Sequence, residues 1–219
     1  MAADYTVSDT SASDADLLRA DNTAWAAVAA IDWGPAPWVT RFRAVTTPGA
    51  LLLRFDVYDQ DPWHTMTRRD EHIWEEEVVE IFLDPDRTGL NYYELEINPV
   101  NVLCDLVVVK PWPELHSDPA WDFAGVETRV VPYRGEQAGP DGWTATARLP
   151  WEGFRALPSR VMLPPKAGDR WRFNLYRIKR PHGPARPHDD VIHAAWSPTG
   201  GPSFHVPAAF RDFVFGRVA

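Results

Sequence analysis

Three alternating runs between residues 70 and 109 constrain this chain more than anything else in it. In the first, Val79, Ile81 and Leu83 alternate with Val78, Glu80, Phe82 and Asp84. In the second, Tyr93, Leu95 and Ile97 alternate with Tyr92, Glu94, Glu96 and Asn98. Successive side chains of a strand point to opposite faces, so each run predicts a strand with one apolar face and one mixed face. The intervening Asp-Pro-Asp-Arg-Thr-Gly at 84–89 holds residues that interrupt pairing and permit positive φ. Antiparallel pairing then puts Glu80, Glu94, Glu96 and Asn98 on one surface, with Trp74 at its rim. Such a face is poor core material and good material for holding a polyhydroxylated ligand.

The rest of the chain repeats the pattern. Runs at 38–45, 50–58, 125–131, 143–149, 170–178, 191–196 and 210–218 predict further strands, the first two forming a hairpin through 46–49. Residues 24–38, alanine-rich and then broken by Pro35 and Pro37, fit a short helix or a packed irregular entry segment. Residues 151–154 fit one helical turn, 110–123 a proline-broken loop, 134–142 a turn, and 1–13 a mobile polar tail. Short strands with frequent turn signals and little helical periodicity predict an all-β fold. The expectation is one antiparallel, jelly-roll-like β-sandwich domain over 14–219. A length of 219 residues suffices for such a core, and eleven tryptophans supply much of its buried area.

A formal net charge of −9 opposes binding to a nucleic-acid backbone. No apolar run approaches the roughly 20 residues that a membrane helix needs. Cys104 is the only cysteine, which excludes an intramolecular disulfide and a Cys-based metal site; in its apolar strand it reads as a buried, inert thiol. The N-terminus has neither a basic start nor an apolar core segment. The default location is therefore cytoplasmic, or secreted if a leader has been lost.

The consecutive Glu75, Glu76 and Glu77 read as a solvated strand entry. Glu80, Glu94 and Glu96 differ, because they recur with period two inside apolar strands. They fit either the polar outer face of an antiparallel sheet or a set of acceptors for sugar hydroxyls. Three like charges call for a complement. Arg172, which shares a strand face with Asn174 and Tyr176, is the candidate, while Asn174 offers a vicinal diol both a donor and an acceptor. His182 and His188 with Asp189 and Asp190 could ligate a metal, but lack the i, i+4 or His-x-His spacing that fixes such a site.

The Trp-x5-Glu-Ile-Phe-x-Asp phrase at 74–84, the tyrosine-rich second strand and Ser-Phe-His-Val-Pro-Ala-Ala-Phe at 203–210 resemble carbohydrate-binding module family 9. The resemblance spans roughly residues 20–217. It implies a β-sandwich that binds a mono- or oligosaccharide on a polar sheet face, between two aromatic side chains and without catalysis. Trp74 takes the first clamp position and Phe204 the second, where the family has tryptophan; Glu80 takes an acidic contact, and His205 follows Phe204. Glu94 stands where sugar-binding members can place arginine, and Tyr176 where they can place glutamine. Those departures keep aromatic clamping and weaken the usual reducing-end preference. The family can also carry structural calcium, for which Asp56, Asp59, Asp61, Asp84 and Asp86 are loop candidates.

Two rivals come from other classes. A glycoside hydrolase or lyase could pair Glu80 with Glu94, although Arg172 beside them would hold both ionised, which is wrong for a general acid. A haem-binding relative could use Met66 or a histidine as axial ligand. A structural or interaction role without a small ligand is the remaining alternative.

Overall fold

The computed structural model describes residues 4–19, 21, 23–133, 141–157 and 159–216. The alternating runs become strands near their expected places. In chain order they are β1 (Tyr5–Asp9), β2 (Ile31–Trp33), β3 (Thr40–Thr46), β4 (Ala50–Tyr58), β5 (Val78–Asp84), β6 (Tyr92–Ile97) and β7 (Leu103–Lys110). Then follow β8 (His116–Asp118), β9 (Glu127–Tyr133), β10 (Gly142–Pro150), β11 (Arg170–Lys179), β12 (Ile192–Ala195) and β13 (Arg211–Phe215). Helix among the described residues is confined to α1 (Asp14–Leu18) and a few 3-10 turns, two of them at Thr23–Ala27 and Gly153–Arg155. No helix of the described residues is long and apolar enough to cross a membrane.

The strands form a sandwich. The front sheet runs β8-β7-β6-β5-β11-β13-β1 and the back sheet β1-β3-β4-β10-β9, with β12 also on β11 and β2 on β3. Between the sheets, Val79, Ile81, Leu83, Tyr93, Leu95, Trp171, Phe173 and Leu175 meet Phe42, Leu53, Phe55, Trp143, Ala145 and Leu149. These are the alternate residues of each run, and burying a large apolar side chain contributes about 1.5–3 kcal/mol.

Three expectations need correction. First, the mobile tail over 1–13 contains a strand. Tyr5 and Val7 are buried, and the Tyr5 hydroxyl donates to Ala29 O at 2.8 Å and accepts from Ala44 N at 2.9 Å. Two apolar residues amid polar ones were too short a signal. Second, the sandwich is not wholly antiparallel, because β1 runs parallel to both β13 and β3 and so closes the front sheet onto the back one. Third, β8 lies in the expected proline-broken loop. Its ladder is made by the backbone, and His116 and Asp118 are exposed, so composition does not report it. Of the turn expected at 134–142, residues 134–140 lie outside the described residues, as do the last residues of the run at 210–218.

The largest departure concerns burial. Every residue of β5 and β6 is buried, so the mixed face of these strands is not solvated. Beside the three glutamates it carries a second apolar cluster of Val78, Phe82, Tyr92, Leu106, Tyr176, Ile178 and Phe210, with Met66, Trp74 and Phe204 packed on it from covering loops. The Glu75–Glu77 run is likewise drawn in. Glu76 accepts from Thr65 N at 2.8 Å and from the Thr65 hydroxyl, and Glu77 accepts from Lys179 Nζ at 2.8 Å; only the Glu75 side chain stays largely exposed. Cys104 is buried, and burial pushes its thiol far up, consistent with an inert residue.

Candidate functional site

β5 and β6 pair with Glu80 opposite Glu96 and Phe82 opposite Glu94, which brings the three glutamates onto one face. One oxygen from each lies within 4.8 Å of the others. They form the floor of a cleft of about 320 Å³, lined also by Trp74, Phe204, His193, His205 and the apolar Leu106, Leu115 and Ile178. Phe204 is held in place from behind, its ring stacked on Tyr176 at 4.2 Å and 20°. Trp74 stacks on His72 at 4.4 Å. An indole, a phenyl ring and hydrogen-bonding carboxyls around one concavity are what small-ligand sites commonly present.

The glutamates are 2 %, 4 % and 1 % exposed for Glu80, Glu94 and Glu96. Burial pushes the Glu94 carboxyl up to about 7. Burial, and then the charge of Glu94, holds Glu80 well above the usual carboxylate range; burial followed by Glu80 and Glu94 does the same for Glu96. His205 is pushed down to about 4 by burial, so its imidazole is neutral at pH 7. Its Nδ1 lies 3.0 Å from the Tyr92 hydroxyl and 3.9 Å from Glu94, too far for a hydrogen bond to the latter.

Six of the ten residues expected at the site therefore line this cleft: Trp74, Glu80, Glu94, Glu96, Phe204 and His205. The other four do not, and the reason is common to all of them. They tie the covering loops to the sheet. Asn98 accepts from Val100 N and Val102 N and donates to Met66 O at 3.1 Å. Asn174 grips both backbone groups of Ser197, at 2.8 and 3.0 Å. The Tyr176 hydroxyl donates to Phe204 O at 2.9 Å, and Arg172 donates to Phe210 O at 3.0 Å. Arg172 pairs with Asp84, while Glu80 pairs with Tyr176, four residues along. At about 3.3 Å per residue that is roughly 13 Å, too far to offset the glutamates.

Residues that the sequence reading missed are the apolar wall (Leu106, Leu115, Ile178) and Ser117, His193, Pro202 and Ser203. Leu106 and Ile178 share the alternation of their strands with the glutamates' face and could have been placed by register. Leu115 and Ser117 lie in the stretch read as loop and carried no such signal.

The metal expectations fare poorly. Asp56 accepts from Arg43, Arg54 and Thr144, Asp59 from Arg177 and Lys179, Asp84 from the backbone of Thr88 and Gly89, and Asp86 from Ser159. These carboxylates already hold the chain's own donors and do not fit calcium. His182 bonds Asp190 through Nε2, and Arg186 faces its Nδ1, so a cation would meet a guanidinium there.

Fold and cleft together define a β-sandwich with an aromatic- and carboxyl-lined cleft on one sheet face. Residues 12–109 match the model of carbohydrate-binding family 9. An "Extracellular protein" of Arthroderma benhamiae is 25% identical over 191 residues, covering 84% of this chain and 81% of its own. A candidate carbohydrate-binding protein from Bacteroides uniformis superposes with a TM-score of 0.71 at 17% identity, over 98% of this chain and 100% of the other. A family 9 module from Caldicellulosiruptor kristjanssonii in complex with cellotriose gives 0.67 at 16% identity, over 98% of this chain and 94% of that one. The glucose complex of a family 9 module from the same organism gives 0.66 at 17%, over 98% and 96%. The chain shares the β-sandwich fold of these modules, and its N-terminal half matches the family 9 model.

Proposed function

We propose that this domain is a non-catalytic carbohydrate-binding module that takes one end of a mono- or oligosaccharide into the cleft. A pyranose would stack its C–H face on Trp74 or Phe204 and turn its hydroxyl rim to Glu80, Glu94, Glu96 and His205. The observation that carries this reading is the meeting of those two aromatic rings and three inward carboxyls in one cleft of about 320 Å³. The solved modules holding cellotriose and glucose, which share the fold, support the ligand class.

Hydrolysis fits less well, though not for the reason offered by the sequence, since Arg172 is remote from the glutamates. A glycosidase needs carboxyls on two sides of the scissile bond. Here all three rise side by side from one floor, and the remaining lining residues include no further carboxyl. The test is calorimetry against a glycan panel at pH 7. Saturable single-site binding of at least one saccharide is expected, and no binding by any of them at millimolar concentration overturns the reading.

A further inference from the structure

The three cleft glutamates break a rule that the rest of the described chain keeps. Every other buried carboxylate has an internal partner. Asp56 has Arg43 and Arg54; Asp59 and Glu77 have Arg177 and Lys179; Asp105 has Arg69; Glu76 and Asp84 take backbone N–H groups. Glu80 Oε1, Glu94 Oε2 and Glu96 Oε2 are buried with no hydrogen-bond partner; Glu77 Oε2 is unbonded too but has Arg177 at 3.7 Å, whereas Glu94 and Glu96 have only each other. Among the described residues no lysine or arginine lines their cleft, and burial holds both lining histidines, His193 and His205, below the usual imidazole range. Burying carboxylates together without a cation is costly, and such groups are retained where something else satisfies them. Here the three glutamates line the cleft, while their unbonded oxygens are shielded from solvent when it is empty.

We infer that the cleft is specific for a saccharide bearing a primary ammonium, an amino sugar, whose charged nitrogen seats among Glu80, Glu94 and Glu96. The inference rests on the saccharide-binding reading above and names its ligand class. An ammonium has three N–H donors and no acceptor, matching three acceptor-only carboxylates. The chain contains an internal example of the same chemistry. Lys179 Nζ lies 2.8 Å from Asp59 Oδ1, 2.8 Å from Glu77 Oε1 and 3.1 Å from Asp61 O. The aromatic walls suit a cation as well as a sugar ring, because ring faces attract positive charge. A divalent metal fits less well. Calcium takes six to eight oxygens, and the lining adds no further carboxylate or side-chain amide to the three glutamates. Burial raises the proton affinity of the empty cleft's carboxyls, and an ammonium favours their ionised, acceptor-only form, so binding is expected to release protons to the buffer.

The experiment is calorimetry at pH 7 on the EDTA-treated, dialysed protein, titrated with fully deacetylated chitotriose, its N-acetylated counterpart and cellotriose. Runs of the chitotriose titration in two buffers of different ionisation enthalpy count released protons. Deacetylated chitotriose is expected to bind ~10- to 100-fold more tightly than either neutral sugar, as a charge-assisted contact allows, with net proton release. Glu96→Gln should erase most of that preference, and its melting temperature, taken alongside, separates lost affinity from lost fold. If it does not fold, Glu94→Gln takes its place, and proton release by the parent is read independently. Equal or tighter binding of cellotriose overturns the inference and leaves the saccharide reading standing. Binding that appears only on adding Ca²⁺ or Mn²⁺ overturns it in favour of a metal. Failure of every saccharide overturns both.

Discussion

Two buried carboxylate clusters sit on opposite faces of the same strands and are satisfied in opposite ways. On the core side of the β5/β11 pair, Asp59 and Glu77 meet Arg177 and Lys179, and Arg177 also lies over the Trp143 ring at 5.6 Å. Burial pushes Asp59 up, but Arg177 and Lys179 outweigh it and hold the carboxyl below its usual range, whereas burial wins at Glu77 and pushes it up to about 8. On the outer side, Glu80, Glu94 and Glu96 have no such cation, and their carboxyls are pushed up. One residue of register separates Arg177 from Tyr176 and so a neutralised cluster from an unsatisfied one. The first cluster has its cations within the fold, although Glu77 Oε2 and two Arg177 nitrogens make no hydrogen bond. The second has no cation of its own and is left to protons or to the proposed ligand.

The comparison breaks most easily at the core-side cluster. Lys179→Met leaves two buried carboxylates sharing Arg177 alone and should cost about 3–5 kcal/mol in urea unfolding. Trp143→Ala, under the same cluster, should cost a similar ~3–5 kcal/mol. Next comes pH. Glu94 rises from 4.5 to about 7 in the fold, so the folded state holds the proton more tightly than the unfolded chain. That stabilisation is complete below about 4.5 and is lost as pH rises through about 7, up to ~3 kcal/mol in all. His205, lowered from 6.5 to about 4, works the other way, adding stability as pH rises from about 4 to 6.5. Glu94→Gln removes the first contribution, keeps the second and relieves Glu80 and Glu96 of a like charge. Its stability should therefore gain on the parent's steadily between pH 4.5 and 7, and parallel curves would show that the glutamates are not protonated.

A smaller effect is expected at the loop ties. Asn174→Ala leaves two backbone groups of Ser197 unpaired, at about 1–3 kcal/mol, and should speed amide exchange around residue 197 without exposing the core. The smallest belongs to the outer cluster itself. Glu96→Gln should change stability at pH 7 by less than ~1 kcal/mol, since the amide keeps the shape, can still bond Glu94 and strands no buried cation. A loss as large as that of Lys179→Met would make the two clusters alike.

Much of this was legible from period two alone. It placed β4 to β7, β10 and β11, separated core residues such as Trp171 and Phe173 from the outer face, and put Glu80, Glu94 and Glu96 together. It could not say what lies above that face. Asn98, Arg172, Asn174 and Tyr176 have the polar chemistry of ligand contacts, yet they bind the backbone of loops distant in sequence. Distances along β11 also decide that Arg172 serves Asp84 rather than the glutamates. Loop coverage is a long-range property, and no local pattern at 59–77 or 197–210 announces it.

The most direct test of the central claim compares the parent with Trp74→Ala by calorimetry, using whichever saccharide the parent binds best. Trp74 lines the cleft and packs only on the rim of the outer cluster, whereas Trp143 is core. Trp74→Ala is expected to lose ~10- to 100-fold in affinity, as about 1–3 kcal/mol of lost stacking area implies, with its melting temperature within a degree or two of the parent's. Affinity equal to the parent's would contradict the account and place the saccharide elsewhere on the domain.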